Sequence, residues 1–335
     1  MSASWGVLDA GSWGTALALV LARNGHRVRL WDYNQAHVAN LLADGENRHY
    51  LPGVPLGPNI EPMTELAPAV AGVDHTLIVV PSHAFRSMLA QLRPIWPQGR
   101  GLVWATKGLD AASGGLLHQV AASELPAAGA LAVLSGPSFA REVAAGLPTA
   151  VTVASTDADF ATSVAQAFHS DSFRVYTSPD ITGVELGGSV KNVLAIATGV
   201  ADGLGFGANA RAALITRGLA EIMRLGVALN ADPKTLMGLA GVGDLILTCT
   251  DDQSRNRRMG LALGRGLSIE QAQAEIGQTV EGVRTAAEVY QLAQRLQVEM
   301  PLCEQVYRLL RGELSAAEAV GVLMGRSQKP EFWGS

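Results

Sequence analysis

Short apolar runs alternate with segments of helical periodicity through the first half of the chain. The first run, residues 5–8, leads into a glycine-containing turn and then into a stretch rich in alanine and leucine. Apolar runs that turns bound and helices separate predict the buried strands of a sheet covered on both faces. Further strands are predicted at 28–31, 76–80, 101–105, 131–134, 149–154 and 173–176, the last two at the far side of the sheet.

From about residue 180 only helical periodicity remains. Helices are predicted over 181–204 and 208–229, from Pro233, and after Pro301. Ser268 and Ser315 each begin a capping-box sequence, which is typical of a helix start. This change of period predicts an α/β domain over 1–180 followed by an all-α domain over 181–335.

The turn after the first strand carries two of the three glycines of the dinucleotide fingerprint G-x-G-x-x-G. Gly11 has the second position, where the backbone approaches a pyrophosphate, and Gly14 the third, where the helix packs closely on the strand. Asp9 has the first position, which normally takes the sharp bend. Aspartate can adopt the necessary backbone angles, but its carboxylate repels a pyrophosphate. The turn predicts a Rossmann-type dinucleotide site, with a ligand-free strand–turn–helix as the alternative.

Composition narrows the class of protein. The chain has 335 residues, 48% of them hydrophobic and 16% charged, which is enough for a large core and about two domains. Its net charge of −5 argues against general binding to nucleic acid or anionic membranes. Cys249 and Cys303 cannot form a disulfide framework, which favours the reducing cytoplasm. Charges such as Glu185 interrupt the apolar segments and no His/Cys group has zinc spacing, so neither a membrane span nor a metal site is predicted.

Several candidate residues follow predicted strands, at the carboxyl edge where α/β sheets bind ligands. Asp32 ends the second strand and suits a hydrogen bond to the ribose 2′-hydroxyl of NAD; an ordinary turn residue is the alternative. Lys107 follows a later strand, where its cation suits an oxyanion or phosphate; a plain loop lysine is the alternative. Gly136 stands at a third strand end.

The helical half contributes two charged residues within apolar sequence. Lys191 lies on a helix of small apolar residues, where burial would lower its pKa and suit it to proton transfer. Snorkelling of Lys191 to the surface is the alternative. Asp244 needs a partner, which a lysine from another helix would provide, or else it caps the next helix.

A polar cluster at residues 254–258 lies at a predicted helix start. Arg255 and Asn256 suit a phosphate, because a guanidinium fork, an amide donor and a helix N-terminus coincide there. A solvated basic face is the alternative. Nucleic-acid binding is not predicted, because the run is short and the chain is acidic.

Taken together in order, eight blocks of sequence resemble the bacterial NAD(P)-dependent glycerol-3-phosphate dehydrogenases across almost the whole chain. They are AGSWGTALA at 10–18, VVPSH at 79–83, WATKGL at 104–109, LSGPSFA at 134–140, GSVKNV at 188–193, GFGANAR at 205–211, GVGDL at 241–245 and DQSRNRR at 252–258.

The resemblance implies a cytoplasmic homodimer with an N-terminal Rossmann-type domain for the dinucleotide and a C-terminal helical domain for substrate and catalysis. It implies hydride transfer between NAD(H) or NADP(H) and a three-carbon phosphate. Reduction of dihydroxyacetone phosphate would give sn-glycerol 3-phosphate, a precursor of phospholipids.

The resemblance also implies a role for individual residues. Lys191 is the expected general acid and base, Asp244 orients it, and Lys107 holds or polarises the substrate. Expected substrate contacts are Lys107, Gly136, Ser138, Lys191, Asp244, Ser254, Arg255 and Asn256. Expected cofactor contacts are Gly11, Ser12, Trp13, Gly14, Asp32, Tyr33, Lys107, Ala140, Arg255, Thr279 and Glu281.

Two departures from the family pattern qualify these expectations. Asp9 replaces the usual first glycine, which bears on cofactor affinity, and Asp32-Tyr33 lacks a basic residue for the 2′-phosphate of NADP. A related dehydrogenase acting on a 3-hydroxy acid is one alternative, although the phosphate-suited Arg255 and Asn256 argue against it. A catalytically silent nucleotide-binding protein is another, with Asp9 as its support.

Overall fold

The computed structural model describes residues 2–327 and contains one eight-stranded sheet. Its strands are β1 (Ser4–Leu8), β2 (Arg27–Trp31), β3 (Ile60–Met63), β4 (His75–Ile78), β5 (Leu102–Trp104), β6 (Leu131–Ser135), β7 (Thr149–Ala154) and β8 (Phe173–Ser178). The order is β3-β2-β1-β4-β5-β6-β7-β8. Neighbours are parallel, apart from the antiparallel pair β6–β7. This sheet confirms the predicted Rossmann-type architecture.

Sixteen α-helices lie within residues 2–327. Those between the strands are α1 (Ser12–Arg23), α2 (Gln35–Asp44), α3 (Leu66–Val70), α4 (Ser82–Leu92), α5 (Leu117–Glu124), α6 (Ala140–Ala144) and α7 (Ala158–Phe168). Those after the sheet are α8 (Ile181–Gly203), α9 (Ala208–Ala228), α10 (Pro233–Leu236), α11 (Asp244–Thr250), α12 (Arg255–Gly264), α13 (Ile269–Ile276), α14 (Glu281–Leu296), α15 (Pro301–Leu310) and α16 (Ala316–Met324). A π-helical turn, Leu239–Gly243, precedes α11.

The sheet has a hydrophobic core on each face. Neighbouring residues of β1 belong to different clusters, Val7 to one and Leu8 to the other, because side chains alternate across a strand. On the first face Trp5 packs edge-on against Phe168, with ring centroids 5.4 Å apart. On the second face Phe85 and Trp104 make a similar contact at 5.9 Å. The prediction that helices cover both faces is confirmed.

Strand β3 is the one strand that the hydrophobic pattern did not predict. It is a four-residue edge strand, and it contains Pro62. Proline cannot donate to a ladder and is tolerated at an edge, which weakens the sequence signal for a strand. The two strands predicted at the far side, β7 and β8, do lie there.

The helical elements begin where their capping residues indicate. Ser268 and Ser315 both form complete capping boxes, at the starts of α13 and α16. Pro233 and Pro301 are the first residues of α10 and α15. The all-α character predicted after residue 180 is confirmed through residue 327. Residues 328–335 of the predicted second domain lie outside the described range.

The chain forms two compact units. One comprises the chain up to Lys191 together with Ile222–Leu247, and the other comprises Asn192–Glu221 together with the chain from Thr248 onward. Lys191 is therefore the last residue of a continuous segment that includes the whole sheet. The predicted division at residue 180 stays a prediction. No helix within residues 2–327 has the length and apolar character to cross a membrane.

Candidate active site

Two lysines and one aspartate form a buried cluster in the first unit. Lys107 follows β5, Lys191 lies on α8, and Asp244 begins α11. The Nζ of Lys191 is 2.5 Å from Oδ1 of Asp244, and the Nζ of Lys107 is 2.7 Å from Oδ2. The Asp244 side chain is 1% exposed and that of Lys191 is 9% exposed. One carboxylate is thus shared by two ammonium groups away from bulk water.

The electrostatics of this cluster favour proton transfer by Lys191. Burial lowers the pKa of Lys191 to about 8, Asp244 opposes the shift, and the nearby charge of Lys107 adds to it. Burial by itself would raise the pKa of Asp244, but Lys107 and Lys191 together hold that pKa below its ordinary value. Asp244 therefore stays ionised, and the pKa of Lys191 lies close to neutral pH. The snorkelling alternative for Lys191 is wrong.

Small residues on α8 allow the cluster to assemble. A Cβ at Gly187 would lie 2.4 Å from the carbonyl oxygen of Ala240, in the π-helical turn before Asp244. A Cβ at Gly188 would lie 2.7 Å from the hydroxyl of Ser135, at the end of β6. Gly187 lets α8 approach the π-helical turn and Gly188 lets it approach the end of β6, so Lys191 can reach Asp244.

The loop after β6 contacts the same cluster. Lys107 donates from Nζ to the carbonyl oxygen of Gly136 at 3.1 Å, and the Ser138 hydroxyl donates to that oxygen at 3.0 Å. Gly136 has a φ of +151°, and a Cβ there would lie 2.9 Å from the Cα of Val151. The structure therefore brings together five of the predicted substrate residues: Lys107, Gly136, Ser138, Lys191 and Asp244.

A second buried network holds the loop that carries Lys107. The Ser189 hydroxyl accepts from the N–H of Gly108 at 3.0 Å and donates to the carbonyl of Glu185 at 2.7 Å. The Glu185 carboxylate accepts from Trp104 Nε1 and from the backbone N–H of His118. Sequence reasoning missed these residues. An acid within the apolar α8 segment was the available signal, because a buried carboxylate requires partners.

The glycine turn has the backbone that the fingerprint requires. Asp9 has a φ of +107°, in the region that glycine normally occupies. A Cβ at Gly14 would lie 1.9 Å from the carbonyl oxygen of Asp9, so the start of α1 rests directly on the strand end. Gly11 is the N-cap of α1, and no side chain caps this helix. Backbone N–H groups at such a helix start suit the phosphates of a dinucleotide.

Asp32 and Tyr33 occupy very different environments at the end of β2. The Asp32 carboxylate is buried and accepts from the backbone N–H groups of Ala10 at 3.1 Å and Asn34 at 2.9 Å. Asp32 therefore acts as a turn residue, which was the alternative considered for it. Its contact with the ribose of the cofactor stays a prediction. Tyr33 is 78% exposed. Ala140, another expected cofactor contact, is the first residue of α6.

In the second unit, residues 254–256 form the capped N-terminus of α12. Ser254 is the N-cap of α12 and accepts from the N–H of Arg257. Asn256 accepts from the N–H of Gly282 at 2.9 Å and donates to Oδ1 of Asn192 at 2.9 Å. Gly282 adjoins Glu281, the first residue of α14, while Thr279 is exposed in the preceding loop.

Arg257, Arg255 and Asn192 differ in whether their side chains are already paired. Arg257 is buried and pairs with Asp202 and Asp252, so a solvated basic face is the wrong description of it. Arg255 is half-buried, and within residues 2–327 its side chain has no hydrogen bond or ion pair. Asn192 was not predicted, yet its Nδ2 is buried without a partner in the described chain. Such an unsatisfied donor is costly unless a ligand meets it.

Comparisons with known proteins agree with this geometry. A family model described as the NAD-dependent glycerol-3-phosphate dehydrogenase N-terminus matches residues 5–161, and the corresponding C-terminus model matches residues 180–321. The chain belongs to the NAD-dependent glycerol-3-phosphate dehydrogenase family. The family resemblance inferred from the eight sequence blocks is thereby confirmed.

Individual members of the family align with nearly the whole chain. The glycerol-3-phosphate dehydrogenase of Halorhodospira halophila, named for NAD(P)+, is 59% identical over 99% of this chain and 99% of its own. That of Alkalilimnicola ehrlichii is 61% identical over 97% of this chain and 98% of its own. The crystal structure of glycerol-3-phosphate dehydrogenase from Coxiella burnetii covers 97% of this chain and 99% of its own, with a TM-score of 0.94 and 50% identity. These matches favour neither a 3-hydroxy acid dehydrogenase nor a silent relative.

Proposed function

We propose that this protein interconverts dihydroxyacetone phosphate and sn-glycerol 3-phosphate with NAD(H) or NADP(H). The observation that carries the proposal is Lys191, a buried lysine whose pKa is about 8 and whose ammonium contacts Asp244. A buried acid with a pKa close to the working pH suits proton transfer to a carbonyl oxygen. When bound, the nicotinamide supplies or accepts the hydride.

Lys191 carries the proton in this scheme. In reduction, its ammonium donates a proton to the carbonyl oxygen while the central carbon receives the hydride. In oxidation, the neutral amine removes the hydroxyl proton. Asp244 orients the amine through its Oδ1, and its negative charge limits how far burial lowers the Lys191 pKa.

Lys107 contributes a positive charge to the proposed site. Its ammonium is held by Asp244 and by the Gly136 carbonyl, so it presents a fixed positive charge beside the proton donor. A fixed charge of this kind stabilises negative charge that develops on a substrate oxygen. We assign Gly136 and Ser138 to substrate contact, because the Gly136 carbonyl accepts from both the Lys107 ammonium and the Ser138 hydroxyl.

The phosphate of the substrate is assigned to Ser254, Arg255 and Asn256. The N-terminus of the ten-residue helix α12 provides N–H groups. The Arg255 guanidinium, which has no ion pair within residues 2–327, provides a cation with planar donors. Asn192 joins this group, because its buried Nδ2 lacks a partner in the described chain.

The cofactor is assigned to the glycine turn and to residues that follow other strands and helices. Gly11 is the uncapped start of α1, and the indole Nε1 of Trp13 is buried without a partner in the described residues. Both observations fit a ligand with phosphates and hydrogen-bond acceptors. The assigned contacts are Gly11, Ser12, Trp13, Gly14, Asp32, Tyr33, Lys107, Ala140, Arg255, Thr279 and Glu281.

A steady-state assay tests the proposed activity. Oxidation of NADH or NADPH is expected to require dihydroxyacetone phosphate, and comparison of the two cofactors identifies the preferred one. Lys191→Ala is expected to lower turnover by at least about 10²-fold, since it removes the general acid. Lys234→Ala, at an exposed lysine of α10, is the matched control and keeps full activity. Normal turnover in folded Lys191→Ala refutes the assignment.

The wider setting of this activity is also a proposal. We infer a cytoplasmic homodimer that supplies glycerol phosphate for phospholipid synthesis, as the family resemblance implies. The chain has two cysteines, Cys249 and Cys303, both buried and too few for a disulfide framework, which suits a reducing compartment. Light scattering of the purified protein measures the oligomeric state. Growth of a depleted strain only with added glycerol 3-phosphate would support the lipid role.

A further inference from the structure

Asp9 is held in place by its own backbone. Its N–H donates to the carbonyl of Trp31 at 2.9 Å, and its carbonyl oxygen is covered by the start of α1 at Gly14. Its φ of +107° is one that L residues rarely adopt, so the backbone of Asp9 is strained. The position of its side chain therefore follows from the turn.

The carboxylate of Asp9 folds back onto the turn. Oδ2 accepts from the N–H of Gly11 at 3.1 Å, and the same oxygen would lie only 2.8 Å from a Cβ on Gly11. Gly11 is the fingerprint residue whose backbone approaches the pyrophosphate of a dinucleotide. A negatively charged group of the protein thus occupies one of the amide donors on the side where an anion binds.

A second carboxylate reinforces the negative charge at this turn. Asp32 accepts from the adjacent N–H of Ala10, so two consecutive turn amides face carboxylates. This negative charge also acts on Tyr50. Burial raises the pKa of its phenol, and the negative charges of Asp32 and Asp9 raise that pKa further. Asp32 is buried and also accepts from Asn34, whereas Asp9 is partly exposed. Asp9 is the one of the two that can meet a ligand.

We propose that the Asp9 carboxylate is a built-in competitor of the cofactor pyrophosphate, which leaves the Gly11 N–H when a dinucleotide binds and so sets a weakened affinity. This inference rests on the proposed function only in that a dinucleotide is the ligand. It predicts that Asp9 weakens binding through the pyrophosphate alone. The loss of affinity should therefore not depend on the redox state of the nicotinamide or on a phosphate at the 2′-position.

Asp9→Asn isolates the charge, because asparagine keeps an oxygen that can accept from Gly11 and also tolerates a positive φ. Removing one charge near the pyrophosphate is expected to tighten NADH binding on the order of fivefold. ADP-ribose, which retains the pyrophosphate, gains by the same factor, and adenosine, which lacks it, does not. Calorimetry measures NADH and ADP-ribose, and displacement of NADH fluorescence measures adenosine.

Asp74→Asn is the matched control. Asp74 also accepts from a backbone N–H of β1, that of Ser4, but at the opposite end of the strand. Asp74→Asn removes the same charge at the other end of β1 and is expected to leave the dissociation constant for NADH unchanged. Added salt screens the repulsion in the parent protein, so the advantage of Asp9→Asn shrinks as salt rises.

Asp9→Gly provides a second variant should Asp9→Asn fold poorly. It removes the charge and the strained backbone, so it is expected to melt at a higher temperature and to bind NADH at least as tightly as Asp9→Asn. An unchanged or weaker affinity in both variants overturns the inference. An equal gain for adenosine also overturns it. If the parent protein binds neither NADH nor NADPH, the proposed function itself fails, which is a different result.

Discussion

The glycine turn at residues 9–14 and the cluster of Lys107, Lys191 and Asp244 both place aspartates beside a proposed ligand, with opposite consequences. In the turn, Asp9 and Asp32 accept from neutral backbone amides. In the cluster, Asp244 lies between two ammonium groups. The same residue type therefore hinders an anion in one place and supports a proton donor in the other.

The difference teaches that a carboxylate acts through its partners. Asp244 is surrounded by positive charge that it must neutralise, so its removal leaves two buried cations without an anion. Asp9 accepts from the neutral backbone amide of Gly11 and has a positive φ, so its replacement by glycine relieves strain and removes a negative charge from the turn. Substitutions in the two regions are expected to change stability in opposite directions.

Asp244→Asn is expected to have the largest effect on stability and activity. It should lower the free energy of unfolding by about 3–5 kcal/mol, as for other broken buried ion pairs. It should also lower the pKa of Lys191 further, since Asp244 raises that pKa. Urea unfolding and the assay at neutral pH measure both effects. The control is Asp157→Asn at the N-cap of α7, where asparagine caps equally well. Equal losses in both variants would contradict the prediction.

Lys107→Met is expected to shift the pH dependence. Lys107 lowers the pKa of Lys191, so its removal raises that pKa above about 8. Reduction requires protonated Lys191, and its kcat/KM in the parent falls as pH rises through about 8. In the variant this fall moves to higher pH, and the rise of the oxidation rate moves with it. A profile unchanged relative to Lys234→Met would show that Lys107 does not tune Lys191.

Ser189→Ala is expected to have the smallest effect. It leaves the N–H of Gly108 without its acceptor, which costs roughly 1–3 kcal/mol when the group is buried. Because Gly108 adjoins Lys107, KM for dihydroxyacetone phosphate should rise more than kcat falls. Ser123→Ala is the control, since that hydroxyl donates within its own helix to Val120. A change in unfolding free energy with both kinetic constants intact would limit Ser189 to a structural role.

Much of the fold followed from local patterns. The strand–turn–helix at Gly11 and Gly14, the capping boxes at Ser268 and Ser315, and the change to helices near residue 180 all depend on spacings of a few residues. Strand β3 did not follow, because Pro62 and an edge position remove the usual apolar signal. The antiparallel placement of β7 beside β6 was not predicted either.

The sequence predicted individual residues of the candidate site but not how they pair. Lys191 and Asp244 attracted attention as charges within apolar helices, yet each had an equally ordinary alternative. Their pairing joins residues 53 positions apart, and that of Lys107 with Asp244 joins residues 137 apart. Asn192 and Ser189 carried no signal, because a single asparagine or serine on a helix is common.

Short-range hydrogen bonds and the hydrophobic period depend on residues that are close in sequence. The order of elements, the glycine turn and the helix starts could therefore be derived from the chain alone. Partners that come from distant segments depend on how closely backbones approach. Contact at Gly187 and Gly188 brings Lys191 to Asp244, and the forced φ of Asp9 turns its carboxylate onto Gly11. Packing therefore decided which charges are neutralised and which remain to meet a ligand.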